Sequence, residues 1–146
     1  MTQMFAEFVL PAIDIFYKDD LVFAFVNLRF YSSLIRRPSV PGHVLISPNR
    51  VVAKYFDLTN EEVIQMWIAA RKVGKIIGEF YGTKNVVYAF QEGPEAGQTV
   101  KHVHMHIIPE YTSLGSQIID DIYRQDRTDE QRKYEAEKYR SLLESN

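Results

Sequence analysis

Cysteine is absent from this 146-residue chain, which excludes disulfides, thiolate zinc sites and cysteine nucleophiles and fits a reducing compartment. Net charge is scarce as well: 17 basic against 19 acidic side chains leave a formal −2. That balance supplies no long-range field toward nucleic acid or an anionic membrane, so any anion must be held locally. The apolar N-terminus is interrupted by Glu7, Pro11 and Asp14 and preceded by no basic residue, so neither a signal peptide nor a membrane span is expected. Internal repeats, low-complexity tracts and linker-like stretches are missing too. The expectation is one domain acting in the cytoplasm, with the nucleus as a second compartment.

What is present is a core. Apolar residues make up 46% of the chain and charged residues 25%, and a chain of this length buries roughly 70% of its unfolded surface. Residues 21–27 form a short apolar and aromatic run, the pattern of a strand buried on both faces. Pro41-Gly42 turns into a second strand, His43–Ser47, closed by Pro48. The stretch between, 28–40, carries Arg36 and Arg37 and reads as a surface loop in preference to a flap. A helix is predicted from Glu61 to Tyr81: Thr59 and Glu62 make a capping box, Gly82 supplies the stop, and Val63, Met66, Trp67, Ala70, Val73, Ile77 and Phe80 recur at helical spacing as a core stripe. Val86–Gln91 reads as a further strand and 92–99 as the loop after it. Polar character rises after about residue 115, so the last thirty residues read as a helical appendage, and the charges of 126–146 as a solvated face.

Three of the four histidines fall within five residues, at His102, His104 and His106. Alternation on a strand places them on one face at about 6.6 Å steps, with Val103, Met105 and Ile107 packed behind. A single histidine on a half-buried strand needs no special explanation; three in alternation point to chemistry. Immediately before them, residues 93–100 form a loop whose glycines let backbone amides approach a ligand closely, and amides and hydroxyls hold phosphate oxygens well. A phosphate beside three imidazoles has a nucleophile and an acid at hand, as phosphoryl or nucleotidyl transfer requires. A second reading is a metal site, with two ligands from His-x-His and a third from Glu110 or His43. It needs another ligand-bearing strand downstream, where the sequence is charged and helical.

The segment Gly97-Gln98-Thr99-Val100-Lys101-His102-Val103-His104-Met105-His106-Ile107-Ile108-Pro109 resembles the signature of the histidine triad superfamily. Glu92-Gly93-Pro94-Glu95-Ala96, Val26-Asn27 and Pro41-Gly42-His43-Val44-Leu45 are similar to its fragile histidine triad branch, the dinucleoside polyphosphate hydrolases. The resemblance runs from about residue 5 to residue 125. His106 separates the chain from the nucleotidyltransferase branch, which has glutamine there. The continuation through Asp120-Asp121-Ile122-Tyr123 into a charged tail separates it from the nucleoside phosphoramidases.

This resemblance implies an α+β fold, an antiparallel sheet with a long helix, the sheet continuing across a two-fold homodimer with the 61–81 helix near the interface. Residues 1–115 would form the domain and 116–146 its charged, mostly helical extension. It implies hydrolysis of diadenosine triphosphate to AMP and ADP through a nucleotidyl intermediate on His104. His106 would bond a phosphate oxygen and assist the leaving group, while His102 orients the site. Gln98 and the Thr99 and Val100 amides, with Gly97 in the same loop, would stabilise the α-phosphate. Gln91 would position water and contact the bridging region, Asn27 would bind ribose, and Phe5, Leu10, Phe25 and Leu45 would form the base slot, with His43 behind the triad. No cofactor or metal is implied as built in, and magnesium or manganese is expected only with the substrate. The partners are a nucleotide and a second copy, not nucleic acid or a membrane. Slow-turnover signalling and phosphoramidase activity are the alternatives. The 28–40 segment is longer than the branch's usual connection, which leaves Arg36 and Arg37 either reaching the second nucleotide or decorating the surface.

Overall fold

Val22–Val26 alternates between two environments. In the computed structural model, which describes residues 3–27, 31–32, 37–38, 42–110 and 128–146, every side chain of this strand is buried. Val22, Ala24 and Val26 join one apolar cluster, Phe23 and Phe25 another. Period-two geometry sends neighbours to opposite faces, so a continuous apolar run means that both faces of the sheet are covered.

The strands are β1 (Gln3–Phe5), β2 (Phe8–Leu10), β3 (Ile15–Lys18), β4 (Val22–Val26), β5 (Tyr31–Ser32), β6 (Arg37–Pro38), β7 (Val44–Pro48), β8 (Val86–Phe90) and β9 (Met105–Pro109). Five of them form an antiparallel sheet in the order β3-β4-β7-β9-β8, an α+β arrangement as expected. β1 and β2 make a separate hairpin, a pair to which the sequence pattern gave no signal, and β5 and β6 make another inside the segment read as loop. Arg36 lies outside the described residues, and the expectation for the two arginine side chains goes with it.

Helix α1 (Asn60–Tyr81) has the predicted ends: Thr59 and Glu62 complete the capping box and Gly82 closes the helix at φ 67°. Glu62 also pairs with Arg50 at 2.7 Å. The buried stripe differs from the expected one. Met66, Ala70, Val73 and Ile77 are buried, together with Ala69 and Ile76, but Trp67 is 45% and Phe80 38% exposed, and Val63 is half-buried. A straight 22-residue helix cannot follow a twisted sheet along its whole length, which leaves its largest side chains at the margins, where Trp67 meets Phe90 edge-on at 5.9 Å. Gly74 allows the closest approach: a Cβ there would lie 1.9 Å from the Tyr88 hydroxyl.

The C-terminal region needs a larger correction. Helix α2 (Asp129–Glu144), capped by Thr128 and Gln131, is not simply a solvated face. Tyr139 and Ala136 are fully buried in the main core, Arg132 forms a buried ion pair with Asp14 at 2.8 Å, and Arg140 donates to the Ile15 carbonyl at 2.6 Å. Alternating charge hid an apolar stripe only a few residues wide. Residues 120–123 lie outside the described residues. Among the described residues no helix is long and apolar enough to cross a membrane.

Candidate active site

The triad is not carried on one strand. β9 begins at Met105, so only His106 stands on the ladder, while His102 and His104 lie on irregular chain before it. The β7–β9 register pairs Leu45 with His106 and Ile46 with Met105 and ends there. Pro48 has no N–H to extend it, and Val103 instead donates to the Val52 carbonyl at 2.7 Å. Val103, Met105 and Ile107 pack into the main core as expected.

Freed from the ladder, each imidazole has its own anchoring. His102 is fully buried; its Nε2–H donates to the Pro48 carbonyl at 2.8 Å and its Nδ1 accepts from the Ala6 N–H at 2.9 Å. Both ring nitrogens are thereby committed to a single neutral tautomer. His104 Nδ1–H donates to the carbonyl of His102 at 2.7 Å, which leaves the lone pair on Nε2. Burial holds its proton affinity below the usual histidine range, opposed by that carbonyl and reinforced by His102, so the ring is neutral near pH 7. His106 sits with its ring centroid 5.1 Å from that of His104. Burial, then the neighbouring His104, pushes its pKa down to about 4.

His43 stands behind His106, Nε2 to Nδ1 at 3.0 Å, and Asn27 Nδ2 reaches the far side of His43 at a long 3.5 Å. The Asn27 amide donates to His43 Nδ1, His43 Nε2–H donates to His106, and the His106 proton is consequently on Nε2. That buried atom has no protein partner among the described residues, and such a donor is costly unless a ligand accepts from it.

The glycine loop turns through Gly93 at φ 85° and Gly97 at φ 101°. Gln98 was expected to stabilise phosphate, and its side chain does something else. Its Oε1 accepts from Gly93 N at 2.8 Å and its Nε2 donates to the Ala53 and Val100 carbonyls at 2.9 and 3.0 Å. Its backbone N–H bonds the Gly93 carbonyl, so Gln98 fastens the loop and has no donor to spare. The Thr99 and Val100 amides make no hydrogen bond among the described residues. Gln91 donates to the Ala96 carbonyl at 2.8 Å and, with Tyr55, Phe90 and Gln98, lines a small cleft that reaches His104.

On the sheet face opposite α1, Phe5, Phe25 and Leu45, the residues expected to form a base slot, come together in one apolar cluster with Leu10 packed against them. Phe23, which that expectation omitted, forms its floor, stacked on Phe25 at 5.4 Å. The apolar run 21–27 contained the signal; the contribution of Ala6, a lone backbone N–H 96 residues from its partner, left none. A third-ligand role for Glu110 or His43 finds no support: among the described residues no cluster of three potential ligands is placed to hold a metal, and His102 has no nitrogen free for one.

A family model described as HIT domain matches residues 11–113. A bis(5'-adenosyl)-triphosphatase of Dictyostelium discoideum is 35% identical, over 99% of this chain and 95% of that protein. The Arabidopsis thaliana bifunctional bis(5'-adenosyl)-triphosphatase/adenylylsulfatase is 37% identical, over 90% of this chain and 78% of that one. The crystal structure of the Plasmodium falciparum diadenosine triphosphate hydrolase in complex with Cyclomarin A superposes with a TM-score of 0.82 at 28% identity, covering 99% of this chain and 86% of that one. With the three histidines, their anchoring and the glycine loop in place, the chain belongs to the histidine triad family.

Proposed function

We propose that this protein hydrolyses dinucleoside polyphosphates, diadenosine triphosphate to AMP and ADP among them, through a nucleotidyl intermediate on His104. The observation that carries the proposal is the 2.7 Å bond from His104 Nδ1–H to the His102 carbonyl, which fixes a neutral imidazole with Nε2 as nucleophile. Relatives named for that activity support the choice of substrate.

In this reading the base enters the slot of Phe5, Phe25 and Leu45, and the Thr99 and Val100 amides receive the α-phosphate oxygens. Nε2 of His104 bonds to phosphorus as the bridging P–O bond breaks. The departing nucleoside diphosphate takes charge that His106 Nε2–H offsets by hydrogen bonding. Water then cleaves the N–P bond, releasing the nucleoside monophosphate and regenerating His104, with Gln91 beside the reacting centre. Asn27 binds ribose, and magnesium or manganese accompanies the polyphosphate.

The same proposal includes a homodimer and a cytoplasmic site of action. β8 is a terminal strand of the sheet, with Val87 37% and Tyr88 39% exposed and Trp67 nearby on α1, an edge suited to continuation by a second copy. Light scattering on the purified protein tests it, and a monomer at micromolar concentration would refute it.

The activity test compares metal-stripped and untreated protein with a His104→Asn variant on diadenosine triphosphate, followed by chromatography. AMP plus ADP from both wild-type samples and none from the variant is expected. Activity that returns to stripped protein only with a transition metal would overturn the mechanism.

A further inference from the structure

Ala6 is the one non-glycine residue among those described that has a positive φ, 53°. It occupies the turn between β1 and β2. L-residues avoid this conformation because Cβ crowds the following carbonyl, but a two-residue hairpin loop such as Ala6-Glu7 requires it at the first central position. Here the contact is specific. The turn aims the Ala6 N–H at His102 Nδ1, 2.9 Å away and 96 residues distant in sequence.

The neighbouring Phe5 reinforces the arrangement. Its ring stacks on His102 at 5.2 Å and 28° and meets the edge of His104 at 5.4 Å and 76°. With Pro48 holding the other nitrogen of His102, the imidazole is clamped from both ends. The carbonyl of that same residue accepts the proton of His104 Nδ1.

We infer that Ala6 is a positioning residue for the nucleophile: its N–H clamps His102, and the clamped His102 backbone sets the direction and tautomer of His104. The two-residue hairpin loop by itself calls for a positive φ at this position; what the clamp adds is the direction of the Ala6 N–H, which the turn points at His102 Nδ1 and away from the hairpin. Phe5 belongs both to the base slot and to this clamp, so a base seated against Phe5 presses on the element that aims the nucleophile. This inference rests on the hydrolase reading for its catalytic consequence and on geometry alone for the clamp.

Replacing Ala6 by its α-hydroxy acid puts an ester where the amide was, exchanging the N–H for an oxygen and weakening the Phe5 carbonyl as an acceptor, whereas Ala6→Gly keeps the N–H and suits the positive φ. Triple-resonance NMR is expected to show a trans-hydrogen-bond 15N–15N coupling between Ala6 and His102 Nδ1 in wild type and in Ala6→Gly, lost in the ester protein. The ester protein is expected to lose about five- to tenfold in kcat, with KM little changed, from the loss of one hydrogen bond, and Ala6→Gly to retain wild-type kcat. No coupling in wild type, or an unchanged kcat in a folded ester protein, would overturn the inference. Wild type that fails to cleave diadenosine triphosphate while showing the coupling would sink the hydrolase reading and leave the clamp standing.

Discussion

His43 Nε2–H donates a hydrogen bond to His106 Nδ1 across 3.0 Å, in surroundings from which water is largely excluded. Because Asn27 donates to the opposite nitrogen of His43, the direction of both bonds is set from outside the triad, and His106 faces the site as a donor.

Replacing His43 by leucine removes that direction and leaves His106 Nδ1 buried without a donor. A fall of about tenfold or more in kcat is expected, consistent with the 1–3 kcal/mol typical of an unsatisfied buried polar group. His43→Gln, which can still donate, should recover part of it. Steady-state kinetics on both variants decides the point, and equal kcat values for the two would count against the relay.

Acid should weaken the fold. A histidine whose pKa is lower folded than unfolded binds fewer protons in the native state, so its stabilising contribution is full above the unfolded value near 6.5 and is lost as pH falls toward the folded value. For His106 that window runs from 6.5 down to about 4, worth up to about 3 kcal/mol. His102 and His104, also lowered chiefly by burial, act in the same direction. Urea unfolding at pH 7 and pH 5 is expected to show a lower midpoint at pH 5, and constant stability across that range would contradict the neutral triad.

Arg132→Ala leaves Asp14 buried beside α2 without its 2.8 Å partner, and removing one side of a buried pair costs about 3–5 kcal/mol. The exposed Arg50, paired with Glu62 at 2.7 Å, provides the contrast: Arg50→Ala should cost about 1 kcal/mol or less. Denaturation midpoints of the two variants, compared at pH 7, test whether α2 belongs to the cooperative unit.

Gln98→Ala removes three hydrogen bonds that hold the glycine loop. KM for diadenosine triphosphate should rise about tenfold, as amides that meet phosphate lose their fixed positions, and hydrogen exchange at Gly93 should quicken. A kcat collapse with unchanged exchange would instead point to direct contact with the reacting phosphate.

The parts of the molecule legible in sequence were those written in local periodicity. The α1 caps, the doubly buried β4, the interior alternation of Val103, Met105 and Ile107, and the grouping of Phe5, Phe25 and Leu45 in one apolar cluster all follow from spacing or from the family resemblance. Where reading failed, a distant partner decided. Pro48 ended the ladder that would have put His102 and His104 on a strand. Gln98 found carbonyls on both sides of its loop. Trp67 was left at a margin by the curvature of one surface against another. Of the four buried positions of α2, Arg132, Glu135, Ala136 and Tyr139, two are charged, so the core-facing stripe did not stand out from the surrounding charge.

The bonds from Ala6 to His102, Asp14 to Arg132 and Ile15 to Arg140 span 96, 118 and 125 residues. Closing loops of that length is entropically costly and slows the search for native contacts. If docking of the N-terminal segment is slow for that reason, His104 takes up its final orientation late in refolding, and activity reports on it. Catalytic competence should lag the return of helical circular dichroism, which makes recovery of activity a clock for the last step of folding.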